Sequence, residues 1–361
     1  MRYQIINSDC LVAMREMADN SIDFVVTDPP YGIKFMNKQW DHGIPGVDFW
    51  SEMLRICKPG SMLAAFGGTR TYHRLTCAIE DAGWRIMDCM MFLHGQGFPK
   101  AMNFGKKIGG KWEGYSSCGL KPAWEPIILA MKPLDGTFAQ NAEKWGVAGI
   151  NVDESRIYMK EQDFKAYEKK ELSFKNTEGQ TSTFLSSPLI RKIETKGRWP
   201  ANLILDESSA QALDQMTGVS KSSDKARHNN GKSAGRYGKM NPVESKGFND
   251  SGGSSRFFKI IKDEPQNRFL YCAKASSAER QGSKHPTIKP KKLISYIVKL
   301  LAPPCDSVCL DPFMGSGTCG VACKELGVRF TGIELEKEYF EDAKRRIDNA
   351  AEELEHRKLK I

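Results

Sequence analysis

Residues 307–347 read SVCLDPFMGSGTCGVACKELGVRFTGIELEKEYFEDAKRRI. Ser307–Leu310 is a short apolar strand that runs into Asp311. Gly315, Gly317 and Gly320 follow as a G-x-G-x-x-G run. A helix is expected from about Thr318 to Leu326, closed by Gly327. Arg329–Ile333 reads as a second strand, and it ends on Glu334. Strand, glycine turn, helix and strand-end acid together describe a nucleotide-binding βαβ unit. Glycines let the backbone approach a ligand, and the acid stands where ribose hydroxyls would lie. The competing reading is a tight strand-to-helix turn that holds no ligand.

After this unit only one charged helix is expected, whereas a doubly wound sheet needs several more strands. The N-terminal part supplies them. Tyr3–Asn7 reads as a strand ending at Ser8-Asp9, and Leu11–Met17 as a short helix. Ile22–Thr27 is a strand ending at Asp28. Asp48–Cys57 has the pattern of an amphipathic helix stopped by Pro59-Gly60. Ser61–Phe66 is the next strand, Thr71–Ala82 the next helix, and Trp84–Leu93 a further strand. The sheet is thus expected to carry its usual first unit last.

The middle is less regular. GFPKAMNFGKKIGGKW (97–112) is loop-like with some helical character, and Trp124–Met131 is an apolar strand. Phe269–Ala273 is a short strand. GSKHPTIKPKKLISYIVKLLAPP (282–304) is a polar loop leading into an apolar helix that stops at Pro303-Pro304. The expected division is 1–97, 98–280 and 281–361, with an inserted region between two halves of one domain. A length of 361 residues suits a catalytic domain with such an insertion.

Bulk composition excludes some classes. No apolar run is long enough to span a bilayer, and MRYQIINSD is not a signal peptide, so a cytoplasmic protein is expected. Cys305, Cys309, Cys319 and Cys323 give a C-x3-C…C-x3-C pattern that suggests zinc. Buried free thiols between a strand and a helix explain the same residues, no C-x2-C pair exists, and no metal is expected. Net charge is +9, and much of it is local. Residues 221–262 hold ten basic residues against three acidic ones in a Gly/Ser/Asn-rich stretch. That stretch reads either as a solvated flexible loop or as one that orders on phosphates.

Residues 25–35, VVTDPPYGIKF, place Asp28 at a strand end before two prolines, an aromatic ring and a glycine. Alone, such a stretch is a turn. Together with HPTIKP (285–290), DPFMGSGT (311–318), GIELE (332–336) and the weaker NSDCL (7–11), it resembles the β class of S-adenosylmethionine-dependent amino DNA methyltransferases. Their catalytic motif comes first, the target-recognition region next and the cofactor glycines last. The match covers both ends of the chain and only spots of its middle, such as GFPKAMN and RFLYCAKAS.

The resemblance implies an α/β, Rossmann-like, seven-stranded methyltransferase sheet in circularly permuted order, with an inserted target-recognition region. It implies S-adenosylmethionine as cofactor and double-stranded DNA as partner. A homodimer, a cognate restriction endonuclease and a bacterial or phage origin accompany many relatives. Asp311, Pro312, Phe313, Gly315, Ser316, Gly317 and Thr318 would surround the methionine and adenosine parts of the cofactor. Glu334 would bond ribose, Asp9 and Cys10 would lie near adenine, and His285, Pro286, Thr287 and Lys289 would close the site from the other side. Lys289 would act as a point charge on the methionine carboxylate, or else be a surface lysine.

An exocyclic amine on a base is a poor nucleophile because its lone pair is delocalised into the ring. Two acceptors aimed at its protons localise that pair: the Asp28 carboxylate and the Pro29 carbonyl, in a turn that Pro29 and Pro30 stiffen. Tyr31 would stack on a base flipped out of the duplex. Trp40 and Phe98 are further candidates for the base pocket, and Lys232, Arg236 and Lys239 for DNA phosphates. Adenine N6 is the expected target, with cytosine N4 as the alternative. A nicotinamide-dependent oxidoreductase shares the glycine turn but leaves DPPY, HPTIKP and the basic stretch unexplained.

Overall fold

Short apolar strands alternate with amphipathic helices along this chain, so a sheet covered on both faces is the arrangement that buries them. The computed structural model describes residues 3–33, 43–94, 101–117, 119–157, 198–221, 227–229, 243–245, 251–261 and 288–350. The strands are β1 (Tyr3–Asn7), β2 (Ile22–Thr27), β3 (Cys57–Phe66), β4 (Arg85–Leu93), β5 (Trp124–Met131) and β6 (Leu203–Asp206). They continue with β7 (Ser220–Lys221), β8 (Arg227–Asn229), β9 (Val243–Ser245), β10 (Ser251–Gly252), β11 (Lys259–Ile261), β12 (Val308–Asp311) and β13 (Arg329–Glu334). The helices are α1 (Cys10–Arg15), α2 (Val47–Ile56), α3 (Tyr72–Asp81), α4 (Gly105–Ile108) and α5 (Phe138–Trp145). After them come α6 (Val152–Ser155), α7 (Glu207–Thr217), α8 (Lys291–Leu301), α9 (Thr318–Glu325) and α10 (Lys337–Asp348).

One sheet runs β1-β13-β12-β2-β3-β5-β4-β6-β11. The C-terminal pair β12 and β13 therefore sits between β1 and β2, as the missing strands required. All neighbours pair in parallel except around β5, which is antiparallel to both β3 and β4. Among the described residues this sheet has nine strands where seven were expected. The additional two, β6 and β11, come from the middle region and add in parallel beyond β4. Their short apolar runs supply backbone partners for an edge that would otherwise be open. The strand expected at Phe269–Ala273 lies outside the described residues.

Alternation along the inner strands divides the core. Phe24 and Val26 of β2, with Met62, Ala64 and Phe66 of β3, face α8 and α9. Val25, Leu63 and Ala65 face α2 and α3, where Trp50 and Trp84 are buried. Each fully buried large side chain contributes about 1.5–3 kcal/mol. The buried Asp23 carboxylate ties the two chain ends together. It accepts from Val308 N at 2.7 Å and pairs with Lys58 Nζ at 2.7 Å.

The third glycine of the run serves packing. A Cβ on Gly320 of α9 would lie 2.5 Å from Ile347 Cδ1 and 2.7 Å from Phe330 Cε1. Gly320→Val is therefore expected to destabilise the fold by about 1–3 kcal/mol, read as a lower urea midpoint at unchanged slope.

Candidate active site

In a parallel sheet the strand ends that carry a site share one edge. Here β1 leads into Asp9, β2 into Asp28, β12 ends on Asp311 and β13 on Glu334. Because β5 runs the other way, its first residues reach the same edge. Phe92 of β4 lies opposite Glu125, and Leu93 opposite Trp124.

The glycine loop joins β12 to α9. Gly317 has φ of +75°, a left-handed conformation that L side chains rarely adopt, and it caps α9 with no side-chain bond to the helix N-terminus. The first N–H groups of α9 are thus left to an anion or a carboxylate. Arg346 of α10 donates to the Ser316 carbonyl and, at 3.2 Å, to Thr318 Oγ1, adding positive charge behind the loop. Glu334 accepts from Gly315 N at 2.7 Å and Glu336 N at 2.9 Å, which fixes its carboxylate against the loop. Burial raises its pKa above the ordinary carboxylate value. Phe313 packs on Phe49 of α2 with ring centroids 4.9 Å apart. Pro312 and Ser316 are buried inside the turn.

Asp311 connects this loop to the second motif. It accepts from Thr27 Oγ1 at 2.9 Å and from Phe313 N at 3.2 Å. Burial nevertheless pushes its pKa up to about 7. A raised folded-state pKa means that the group's favourable contribution is present below its unfolded value and is lost as pH rises towards 7. Asp311→Asn retains an acceptor for Thr27 and removes the buried charge. Without ligand, the variant's melting temperature is expected to exceed the wild type's at pH 8, with the gap closing by pH 4.

Asp28 and Tyr31 belong to a second cluster. Tyr31 Oη donates to Asp28 Oδ1 at 2.9 Å. Lys289 lies 3.0 Å from Asp28 Oδ2, 3.1 Å from Glu125 Oε2 and 2.9 Å from Tyr31 Oη. Its ammonium also stands over the Tyr31 and Phe66 rings, 5.2 and 4.9 Å from their centroids. Burial alone would lower the Lys289 pKa. The Asp28 and Glu125 carboxylates outweigh it and hold the ammonium well above its ordinary value. Burial raises Asp28, and Lys289 opposes that rise. Lys289 is therefore not a surface lysine. It is bonded to Asp28 and Tyr31 of the DPPY segment. Gly32 turns the chain after Tyr31 with φ of +65°, and a Cβ on Gly68 would come within 3.1 Å of the Tyr31 ring.

Some expectations meet a different local chemistry. The Asp9 side chain caps α1, accepting from Leu11 N at 2.9 Å and Val12 N at 3.1 Å. The Cys10 thiol is pushed up to about 12 by burial, so it stays neutral. Cys309, Cys319 and Cys323 cluster in the seam between β12 and α9, their sulfurs within 4.8 Å of one another. Cys305 stands apart against the Gly146 carbonyl at 3.7 Å. His285, Pro286, Thr287, Trp40, Phe98, Lys232, Arg236 and Lys239 lie outside the described residues.

Sequence reading missed Glu125, Thr27, Gly68 and Arg346. Glu125 was visible as the acid inside WEPIILAM, yet its strand direction was not. The connection from β4 to β5 also carries exposed Trp112 and Tyr115 beside Lys106, Lys107 and Lys111.

A family described as DNA methylase matches residues 22–345. A type II methyltransferase of Streptococcus pneumoniae, M2.DpnII, is 47% identical over 91 residues, 25% of this chain and 34% of that protein. M2.LlaDCHI of Lactococcus lactis subsp. cremoris is 45% identical over 74 residues, 20% of this chain and 27% of its own. The matched stretches thus span about a third or less of these relatives. The crystal structure of an M1.HpyAVI–SAM complex is similar over 95% of this chain and 99% of its own, at 17% identity and a TM-score of 0.45. Among the described residues, no helix is long and apolar enough to cross a membrane.

Proposed function

This chain belongs to the DNA methylase family, and from that premise we propose that it transfers a methyl group from S-adenosylmethionine to the exocyclic N6 of adenine in duplex DNA. One observation carries the reading. The Thr27–Asp311 hydrogen bond, 2.9 Å long, ties the strand end bearing Asp28 directly to the glycine loop. An acceptor for an amine and a loop for a nucleotide-like ligand are thereby held side by side.

The residues at the loop fit the cofactor. Glu334 would take the ribose hydroxyls, Phe313 would face the adenine, and the open N-terminus of α9 would meet the methionine carboxylate. The buried Asp311 carboxylate, with its raised pKa, suits a ligand that brings positive charge. When bound, S-adenosylmethionine supplies an electrophilic methyl group.

The chain's own residues prepare the nucleophile. The Asp28 carboxylate and the Pro29 carbonyl accept the two amine protons and localise the nitrogen lone pair. Negative charge at Asp28 then stabilises the positive charge that develops on that nitrogen. Tyr31 offers a flat face to the flipped base, a stacking interaction of about 1–3 kcal/mol by analogy with single-strand stacking. Methylation-sensitive sequencing of DNA from cells expressing the protein tests the proposal. N6-methyladenine at one recurrent site is the expected result. N4-methylcytosine would move the target, and unmodified DNA would overturn the reading.

Phosphate binding is assigned to the basic stretch at 221–262. Neutralising Lys232, Arg236 and Lys239 together should weaken DNA binding on any sequence. The slope of log affinity against log salt should flatten by about 0.9 for each phosphate that is no longer neutralised. An unchanged slope in fluorescence anisotropy titrations would remove these three from the interface.

A further inference from the structure

Both oxygens of Asp28 already have a partner. Oδ1 accepts from Tyr31 Oη at 2.9 Å, and Oδ2 faces Lys289 Nζ at 3.0 Å. An incoming amine competes at Oδ2 with the charged ammonium, a stronger donor than a neutral base amine. Loosening the ammonium from Oδ2 as a base docks leaves that oxygen the stronger acceptor for the amine. A largely buried lysine leaving this half-buried carboxylate needs another partner, because an unpaired ammonium out of water is costly. That partner is present. Glu125 Oε2 lies 3.1 Å from the same nitrogen and comes from a different element, the start of β5.

We propose that Glu125 is a positioning residue for the methyl-transfer reaction. It holds the Lys289 ammonium while Asp28 exchanges its bond to that ammonium for a bond to the target amine. The inference rests on the amino-methyltransferase reading and adds a residue that the DPPY segment does not contain.

The charges support the exchange. Asp28, Glu125 and Lys289 together carry one net negative charge. With Glu125 neutral the cluster has none, Lys289 has only Asp28 to pair with, and the amine must compete with a full ion pair. With Lys289 removed, two carboxylates face each other without a counter-charge, which makes the charged form of Asp28 harder to hold. The titratable groups facing Asp28 come from four places: Tyr31 on its own loop, Lys289 before α8, Glu125 on β5, and Asp311 at the end of β12. Asp311 is present in every variant compared, so shifts between variants are read free of it.

The experiment is steady-state transfer of radiolabelled methyl to duplex DNA by the full-length protein from pH 5.5 to 9. S-adenosylmethionine affinity is measured alongside by calorimetry. Glu125→Gln should keep cofactor affinity within about twofold and lower kcat about 30-fold or more. Its acid limb should move to lower pH, since the neighbouring negative charge that raises Asp28 is gone. Glu125→Asp should recover part of kcat. Lys289→Met should move the acid limb the opposite way, to higher pH. A purely structural Glu125 predicts something different: both Glu125 variants lose activity together with their melting temperatures, and the limb stays in place. That result, or a Glu125→Gln enzyme with wild-type kcat, overturns the proposal while leaving the transferase reading intact. Absence of labelled DNA with the wild type overturns both.

Discussion

Asp28→Ala is expected to lower methyl transfer to DNA by about a thousandfold or more, with S-adenosylmethionine affinity unchanged within about threefold. One preorganised group aimed at developing charge is worth about 10²–10³ in rate when removed. Asp28 is asked for somewhat more, since it both localises the lone pair and offsets the charge on nitrogen. The separation of effects follows from the structure. Asp28 touches Tyr31 and Lys289, whereas the glycine loop is held by Glu334, Arg346 and Thr27. After truncation Lys289 keeps Glu125 as a partner, so the fold should survive. Asp28→Asn is the sharper control, because it preserves shape and removes charge. Single-turnover transfer with saturating cofactor measures the loss. A variant that turns over within tenfold of wild type sinks the acceptor role.

The second large effect belongs to Glu334→Ala, and it should fall on binding. Hydrogen bonds to a charged group are worth about 1.5–3 kcal/mol each. Losing the ribose pair should therefore weaken S-adenosylmethionine about 100-fold or more. The Gly315 and Glu336 amides also lose their acceptor, which loosens the loop. Glu334→Gln keeps an acceptor for Gly315 and should be milder. Calorimetric titration of both variants decides the matter, and equal affinities for wild type and Glu334→Ala would take the ribose away from this carboxylate.

The sheet order at its centre was legible because its signals are local. The run from Ser307 to Glu334 contains its strand, turn, helix and acid within one unit, and a unit that needs neighbours points to the only other strands that can flank it. The helix spans differ from expectation by a residue or two, as at α2 and α3. What was not legible depends on direction and pairing. Nothing in Leu203–Asp206 or Lys259–Ile261 says that they extend the sheet, since two or three apolar residues fit many places. The partners of Lys289 were hidden for the same kind of reason. HPTIKP names a lysine but not the side of the site it reaches. Its partners come from β5 and the end of β2, some 160 and 260 residues earlier in the chain.

The reversed strand β5 has one further outcome. A strand that runs against its neighbours brings both stems of the β4–β5 connection, Leu93 and Trp124, to the edge that carries the site. The two stems are fixed by ladder pairs, Phe92 with Glu125 and Leu93 with Trp124. The loop between can change length and sequence while the stems stay in register. A family built this way can diversify the connection at its reacting edge and leave the acids there untouched.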